Sequence, residues 1–192
     1  PEAALYLAVA QTRDGSNRAQ GIAQLEAAIA RHRPTAAEFY VELADAYSAD
    51  GDAGKALPYY REALQRRPSA PNLRKLAAAL RALNQLREAA ETVLRGLAAV
   101  PADYASWHEL GLIRAAQQRD ADAVSAFERA LALNPELPET QNNLAAVRLR
   151  RGETGRAESA FRAAIRADPS FAAAHANLGN LLAHAGRFEA GE

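Results

Sequence analysis

The 192-residue chain contains no cysteine. Disulfides, thiolate zinc sites and a cysteine nucleophile are therefore excluded, while an oxidising or a reducing compartment would both tolerate it. Aromatic residues make up only 6%, too few for a β-rich fold, which favours aromatic and β-branched side chains. No apolar run reaches the length of about 18 residues that a bilayer span requires, and no signal-peptide pattern is visible. Neither sign of charge dominates, because 23 basic residues balance 23 acidic ones. Without a basic run there is no concentrated positive field, so no nucleic-acid partner is expected. Lysine is confined to Lys55 and Lys75; the arginines that carry the remaining basic charge suit carboxylate ligands. The chain opens on Pro1 without a methionine and stops at Glu192, which reads as a piece of a longer protein. A cytoplasmic location is preferred and a periplasmic one is compatible.

What is present is small, apolar and periodic. Apolar residues are 49% of the chain, and alanine alone supplies about a quarter. Alanine costs least in a helix and lets helices approach closely. Leu43, Leu76, Leu110, Leu144 and Leu178 follow one another at intervals of 33, 34, 34 and 34 residues. Ala56, Ala89, Ala123 and Ala157 keep the same spacing, as do Pro68, Pro101, Pro135 and Pro169. Tyr60, Val93, Phe127 and Phe161 hold a fourth register. A period of this length marks a helical repeat array. In the clearest copy, helices are expected at about 36–49 and 53–67, with Val41, Leu43, Ala44 and Tyr47 on one face of the first and Ala56, Tyr60, Ala63 and Leu64 on one face of the second. Asp50, Gly51 and Asp52 form the turn between them, with Asp52 as N-cap and Gly51 in a backbone shape closed to other residues.

Trp107, Leu110, Gly111, Ala123, Phe127, Ala130, Leu131 and Pro135 follow the order of the tetratricopeptide repeat, and Tyr40, Leu43, Tyr47, Gly51, Ala56, Tyr60, Ala63, Leu64 and Pro68 follow it more closely still. Leu144, Gly152, Ala157, Phe161, Ala164 and Pro169 make a further copy, and Leu178, Gly179 and Gly186 open a last one. A weaker copy has Ala77 and Asn84 in place of the two glycines. The sequence thus resembles the tetratricopeptide-repeat family. The resemblance implies an all-α, right-handed superhelical solenoid of antiparallel helix pairs spanning 1–192: a degenerate first repeat at 1–34, repeats at 37–69, 70–103, 104–137 and 138–171, and a truncated one at 172–192. Its core would comprise Leu43, Ala56, Tyr60, Leu76, Ala89, Trp107, Leu110, Gly111, Ala123, Phe127, Leu144, Ala157, Phe161, Leu178 and Gly179. Terminal repeats need a polar cap, so the end around Leu178, Leu182 and Phe188 is a candidate surface for pairing between copies.

No motif for catalysis or cofactor binding is present: no His-Glu-x-x-His, phosphate-binding loop, dinucleotide fingerprint or Gly-x-Ser-x-Gly elbow. The chain is read as no enzyme, with no cofactor and no metal. His32, His108, His175 and His184 lack zinc-like spacing. His175 shares the register of Tyr40 and Trp107 and is read, like Trp107, as packed in the helix core. His184 is a cation at a helix C-terminus. Glu38, Glu42 and Asp45 share a helix face and are read as solvated.

The resemblance also implies where a partner sits, because first helices of successive repeats line a groove in that family. The groove positions flank each register leucine. They supply Val41, Glu42 and Asp45; Arg74, Lys75 and Ala78, with Arg81 a turn on; His108, Glu109 and Leu112; Asn142, Asn143 and Ala146, with Arg150 beyond; and Ala176, Asn177 and Asn180. The residues assigned to peptide binding are Arg74, Lys75, Arg81, His108, Asn142, Asn143, Arg150, Asn177 and Asn180. Asn143 and Asn177 precede register leucines one repeat apart, and paired amides match a peptide backbone. The Asn177-Leu178-Gly179 triplet is similar to the asparagine ladder in the superhelix of O-linked N-acetylglucosamine transferases. The expected function is a protein–protein interaction module holding a protein or peptide segment with acidic content; the alternatives are a structural or oligomerisation scaffold and the regulatory domain of a larger enzyme.

Overall fold

The computed structural model describes residues 2–14 and 17–184. Among them are eleven helices and no strand: α1 (Glu2–Arg13), α2 (Arg18–His32), α3 (Ala37–Ala49), α4 (Ala53–Arg66), α5 (Ala70–Ala82), α6 (Leu86–Ala99), α7 (Tyr104–Ala116), α8 (Asp120–Leu133), α9 (Pro138–Arg150), α10 (Thr154–Ala167) and α11 (Ala172–His184). None is long and apolar enough to cross a membrane. The helices fall into two compact units, residues 1–100 and 101–192, each a solenoid of paired antiparallel helices.

In the N-terminal unit α1 packs on α2, α3 on α4 and α5 on α6, and α4 packs onward against α5. In the C-terminal unit α7 pairs with α8 and α9 with α10, while α8 joins α9 and α10 joins α11. The periodic residues fill these seams. Ala56, Ala89, Ala123 and Ala157 are fully enclosed, and Tyr60, Val93, Phe127 and Phe161 are buried beside them. Leu43, Leu76, Leu110 and Leu144 are buried on the opposing first helices.

The turns repeat as closely as the seams. Within each hairpin from α3 to α10, one residue after the first helix takes a left-handed conformation: Gly51 (φ +80°), Asn84 (+57°), Gln118 (+59°) and Gly152 (+76°). The following N–H then reaches back to the carbonyl five residues earlier, as in Asp52→Tyr47, Gln85→Leu80, Arg119→Arg114 and Glu153→Arg148, at 2.8–2.9 Å. These bonds satisfy carbonyls that the helix end would otherwise leave unpaired. The second helices stop for a different reason. Arg67, Val100, Asn134 and Asp168 are extended, with φ near −140°. Each precedes a register proline, whose ring disfavours the helical conformation in the residue before it. Asp52 receives the Lys55 N–H at 3.0 Å and caps α4; Ser69 and Asp103 cap α5 and α7 in the same way.

The first hairpin follows the same plan with a longer step. Gly21 stands in α2 where Ala56 stands in α4, 35 residues on rather than 34. A Cβ at Gly21 would collide with the backbone of Gln11 and Thr12 in α1. This contact, which the 34-residue search did not bring out, lets the two helices approach. α2 ends on Arg33 in the left-handed region (φ +44°), unlike the extended ends of the later second helices.

Leu178 and Gly179, both expected in the core, differ from the rest of their registers. Leu178 is half-buried and Gly179 is exposed, and no atom lies within 4 Å of a Cβ placed on Gly179. Their counterparts in other repeats are covered by a second helix, and no described element crosses this face of α11. Leu182 is half-buried; Phe188, the remainder of the expected terminal surface, and Gly186 of the last repeat lie outside the described residues.

Candidate functional site

The residues that sequence reasoning assigned to one groove divide between the two units. In the N-terminal unit, Lys75 on α5 forms an ion pair with Asp45 on α3. Asp45 also accepts the Tyr60 hydroxyl at 2.7 Å, and Ser48 Oγ lies 3.1 Å from that hydroxyl. Burial and the Asp45 carboxylate push the Tyr60 phenol upward, against a smaller downward pull from Ser48. Glu42 pairs with Arg13 of α1. The charges on successive first helices thus serve one another here, and Lys75 is not an unpaired cation awaiting an acidic partner. Arg74 and Arg81 are half-buried on the same helix, and neither is free. A hollow of about 330 Å³ remains between the starts of α3 and α5, with Glu38, Val41 and Glu42 on one side and Arg67, Pro71 and Asn72 on the other.

Behind that face, Glu26 of α2 accepts hydroxyls from two stacked tyrosines, Tyr59 at 2.6 Å and Tyr47 at 3.1 Å. Burial first, and the shared carboxylate second, raise both phenols, Tyr47 to about 12. Tyr59 is therefore a half-buried tie between repeats.

In the C-terminal unit, His108 is half-buried. Its Nδ1 lies 2.8 Å from Thr140 Oγ1 and its ring packs 5.7 Å from that of Phe127, so it links α7 to α9. Asn142 and Asn143 are half-buried on α9. Asn177 donates from Nδ2 to Asn142 Oδ1 at 2.9 Å. An amide pair is thus formed across α9 and α11 by Asn142 and Asn177.

Trp107 and His175 are not core residues. Trp107 is half-buried and His175 exposed. The Trp107 indole N–H donates to the Pro101 carbonyl at 2.8 Å, and His175 Nε2 lies 2.9 Å from the Pro169 carbonyl. Both proline carbonyls lie six residues back, in the connection between repeats. At the equivalent Pro34 the donor is Arg66 Nε, at 3.1 Å, while its guanidinium covers the Tyr40 ring. Trp107 and His175 therefore clasp the connection with a ring nitrogen at the surface, whereas Tyr40 is buried and Arg66 takes over that bond.

A partly apolar hollow of about 580 Å³ opens in the C-terminal unit between α9 and α11. Ala146, Leu149 and Arg150 line it from α9; Asn177, Asn180, Leu181 and His184 line it from α11; Phe161 of α10 closes the floor. The spacings i, i+3, i+4 on α9 and i, i+3, i+4, i+7 on α11 show that each helix presents one continuous face. Arg150, Asn177 and Asn180 were expected here. Leu149 and Leu181 were not, although extending the groove positions by one helical turn would have found them. Arg150 is held by Asp120 of α8, Nη2 to Oδ1 at 2.5 Å and Nε to Oδ2 at 3.3 Å. This fork holds the Asp120 carboxyl below its ordinary range and raises the guanidinium. His184 Nδ1 lies 2.7 Å from the Asn180 carbonyl; since a carbonyl only accepts, the proton is on Nδ1. Among the described residues no group of three His, Asp or Glu side chains is placed to hold a metal ion.

Models of the tetratricopeptide repeat match residues 13–71 with 142–192, residues 47–111 and residues 104–137. No curated protein sequence matches the chain. Among solved structures, MamA from Desulfovibrio magneticus RS-1 superposes with a TM-score of 0.76 at 20% identity, covering 88% of this chain and 96% of that one. Pseudomonas aeruginosa pilF gives 0.72 at 21% identity, covering 96% and 90%. YrrB, described as a TPR protein with an unusual peptide-binding site, gives 0.66 at 18% identity, covering 88% of each. At these identities the likeness is one of fold.

Proposed function

Because this chain belongs to the tetratricopeptide-repeat family, we propose that it is a protein–protein interaction module, holding an extended segment of another protein against the first-helix face of its C-terminal unit and performing no reaction on it. The observation that carries this reading is the hollow between α9 and α11, where exposed polar side chains surround an apolar floor. Its volume falls in the usual range for ligand sites, about 300–1,000 Å³. Asn180, exposed at its mouth, offers a donor and an acceptor that match a peptide unit. The walls are rigid helices, so few groups need ordering on binding. The peptide-binding site described for YrrB supports the same reading.

Panning a random-peptide display library against the whole chain tests it. Selected peptides are expected to bind the chain by calorimetry. Asn180→Arg, a surface change that puts a bulky side chain across the opening, is expected to weaken them about tenfold or more. Failure to select any peptide, or selected peptides indifferent to Asn180→Arg, would overturn the assignment.

A second reading, assembly with another copy, draws on α1. Tyr6 and Leu7 are 56% and 59% exposed, with exposed Ala3 and Ala10 on the same face. Sedimentation across a range of concentrations separates the readings: a strict monomer removes the second.

A further inference from the structure

The chemistry of the hollow between α9 and α11 specifies more than a peptide. We infer that it takes an uncharged apolar side chain, of leucine or aromatic size, as the anchor of the bound segment; this rests on the function proposed above and names its ligand class. The floor is Phe161, only 1% exposed. Leu181 is buried beside it, while Leu149 at the rim is 40% exposed, so apolar surface remains there for a ligand to cover. Among the described residues no carboxylate lines the hollow. The lining guanidinium, Arg150, already has a two-point carboxylate partner in Asp120. Asn177 is committed in part to Asn142, and His184 has Nδ1 committed to the Asn180 carbonyl.

A charged anchor entering this site would leave water without gaining a charge partner, and burying a charge in that way is costly. An acidic anchor could take the N–H groups of Arg150 that Asp120 leaves unused, but its charge would then lie beside the Asp120 carboxylate, and that repulsion offsets the gain. An apolar anchor meets no such penalty, and covering the exposed Leu149 at the rim favours it in proportion to the area removed from water. The acidic preference expected from counting arginines and lysines therefore gives way to an apolar one. Arg150, held against Asp120, acts as a wall of the site and not as its anion receptor.

Display-selected peptides and their point variants test this by calorimetry on the intact chain. Peptides whose binding Asn180→Arg abolishes are expected to share one leucine or aromatic position. Exchanging that residue for glutamate should weaken binding about ten- to a hundredfold, and wild-type binding should change little with salt. Asp120→Asn, an isosteric substitution that frees Arg150, should recover part of the glutamate peptide's affinity. If the selected peptides are sensitive to Asn180→Arg but carry an acidic anchor, bind more weakly as salt rises and lose affinity with Arg150→Gln, the apolar assignment is wrong while the groove reading stands. Peptides insensitive to Asn180→Arg remove both.

Discussion

Gly111 and Gly179 stand two repeats apart in the same register, yet a methyl group would act oppositely at the two. At Gly111 it would collide with the ring of Phe127, which is fully enclosed and cannot swing away. Overpacking of this kind costs about 1–3 kcal/mol, more than the ~1 kcal/mol that alanine gains over glycine within a helix. At Gly179 the added methyl meets nothing, so only the helix gain remains. Gly111→Ala is expected to lower the urea midpoint and Gly179→Ala to raise it; shifts of the same sign would show that the Phe127 contact is not limiting. Asp120 offers a second test at this scale. Its folded-state pKa lies below the ordinary carboxylate value because Arg150 binds the ionised form. The stabilisation is therefore present above the unfolded-state pKa, about 3.9, and disappears as pH falls through the lower folded-state value. Wild type should exceed Asp120→Asn in stability at neutral pH, and the gap should close on acidification. A gap independent of pH would assign the effect to something other than this ion pair.

At the scale of the element, one left-handed residue per hairpin turns the chain from first helix to second. Gly51 and Gly152 adopt that conformation at no steric cost. Asn84 tolerates it, and Gln118 has no such excuse. A residue with a Cβ loses roughly 1–2 kcal/mol in the left-handed region, and glycine returns part of that gain through its freer unfolded chain. Gln118→Gly is expected to stabilise the α7–α8 hairpin by about 0.5–1 kcal/mol, read as a higher urea midpoint at unchanged slope. A fall in the midpoint would mean that the Gln118 side chain contributes contacts that outweigh its backbone strain. The connections at Pro101 and Pro169 are restrained from two directions: the proline keeps the preceding Val100 and Asp168 extended, and Trp107 and His175 bind the proline carbonyl. That polar role explains why Trp107 and His175 reach the surface, although their spacing alone suggested a core.

At the scale of the whole molecule, the described helices pack against neighbours close in sequence, so stability is approximately a sum of hairpin and nearest-neighbour terms. In the N-terminal unit α1 contacts α2 and α3 from one side, whereas α4 is packed between α3 and α5. Local opening should therefore begin at α1. Amide hydrogen exchange is expected to be faster in α1 than in α4; equal protection would indicate that the unit opens as one body.

The sequence by itself determined the helical hairpins, their period and the residues that fill their seams. Leu110, Ala123 and Phe127 recur because every hairpin solves the same local packing problem with the same side chains. It also indicated the left-handed turn at Gly51, where residue type and conformation are tightly linked. Only the tertiary structure decided which polar groups meet: Lys75 with Asp45, Arg150 with Asp120, Asn177 with Asn142. Such pairs depend on how far each helix is rotated and shifted against its neighbour, by fractions of a turn to which a 34-residue spacing is blind. The hollow between α9 and α11 belongs to the same class of facts. Its apolar floor and its neutralised arginine come from separate helices, and their proximity is a property of packing that no single stretch of the chain contains.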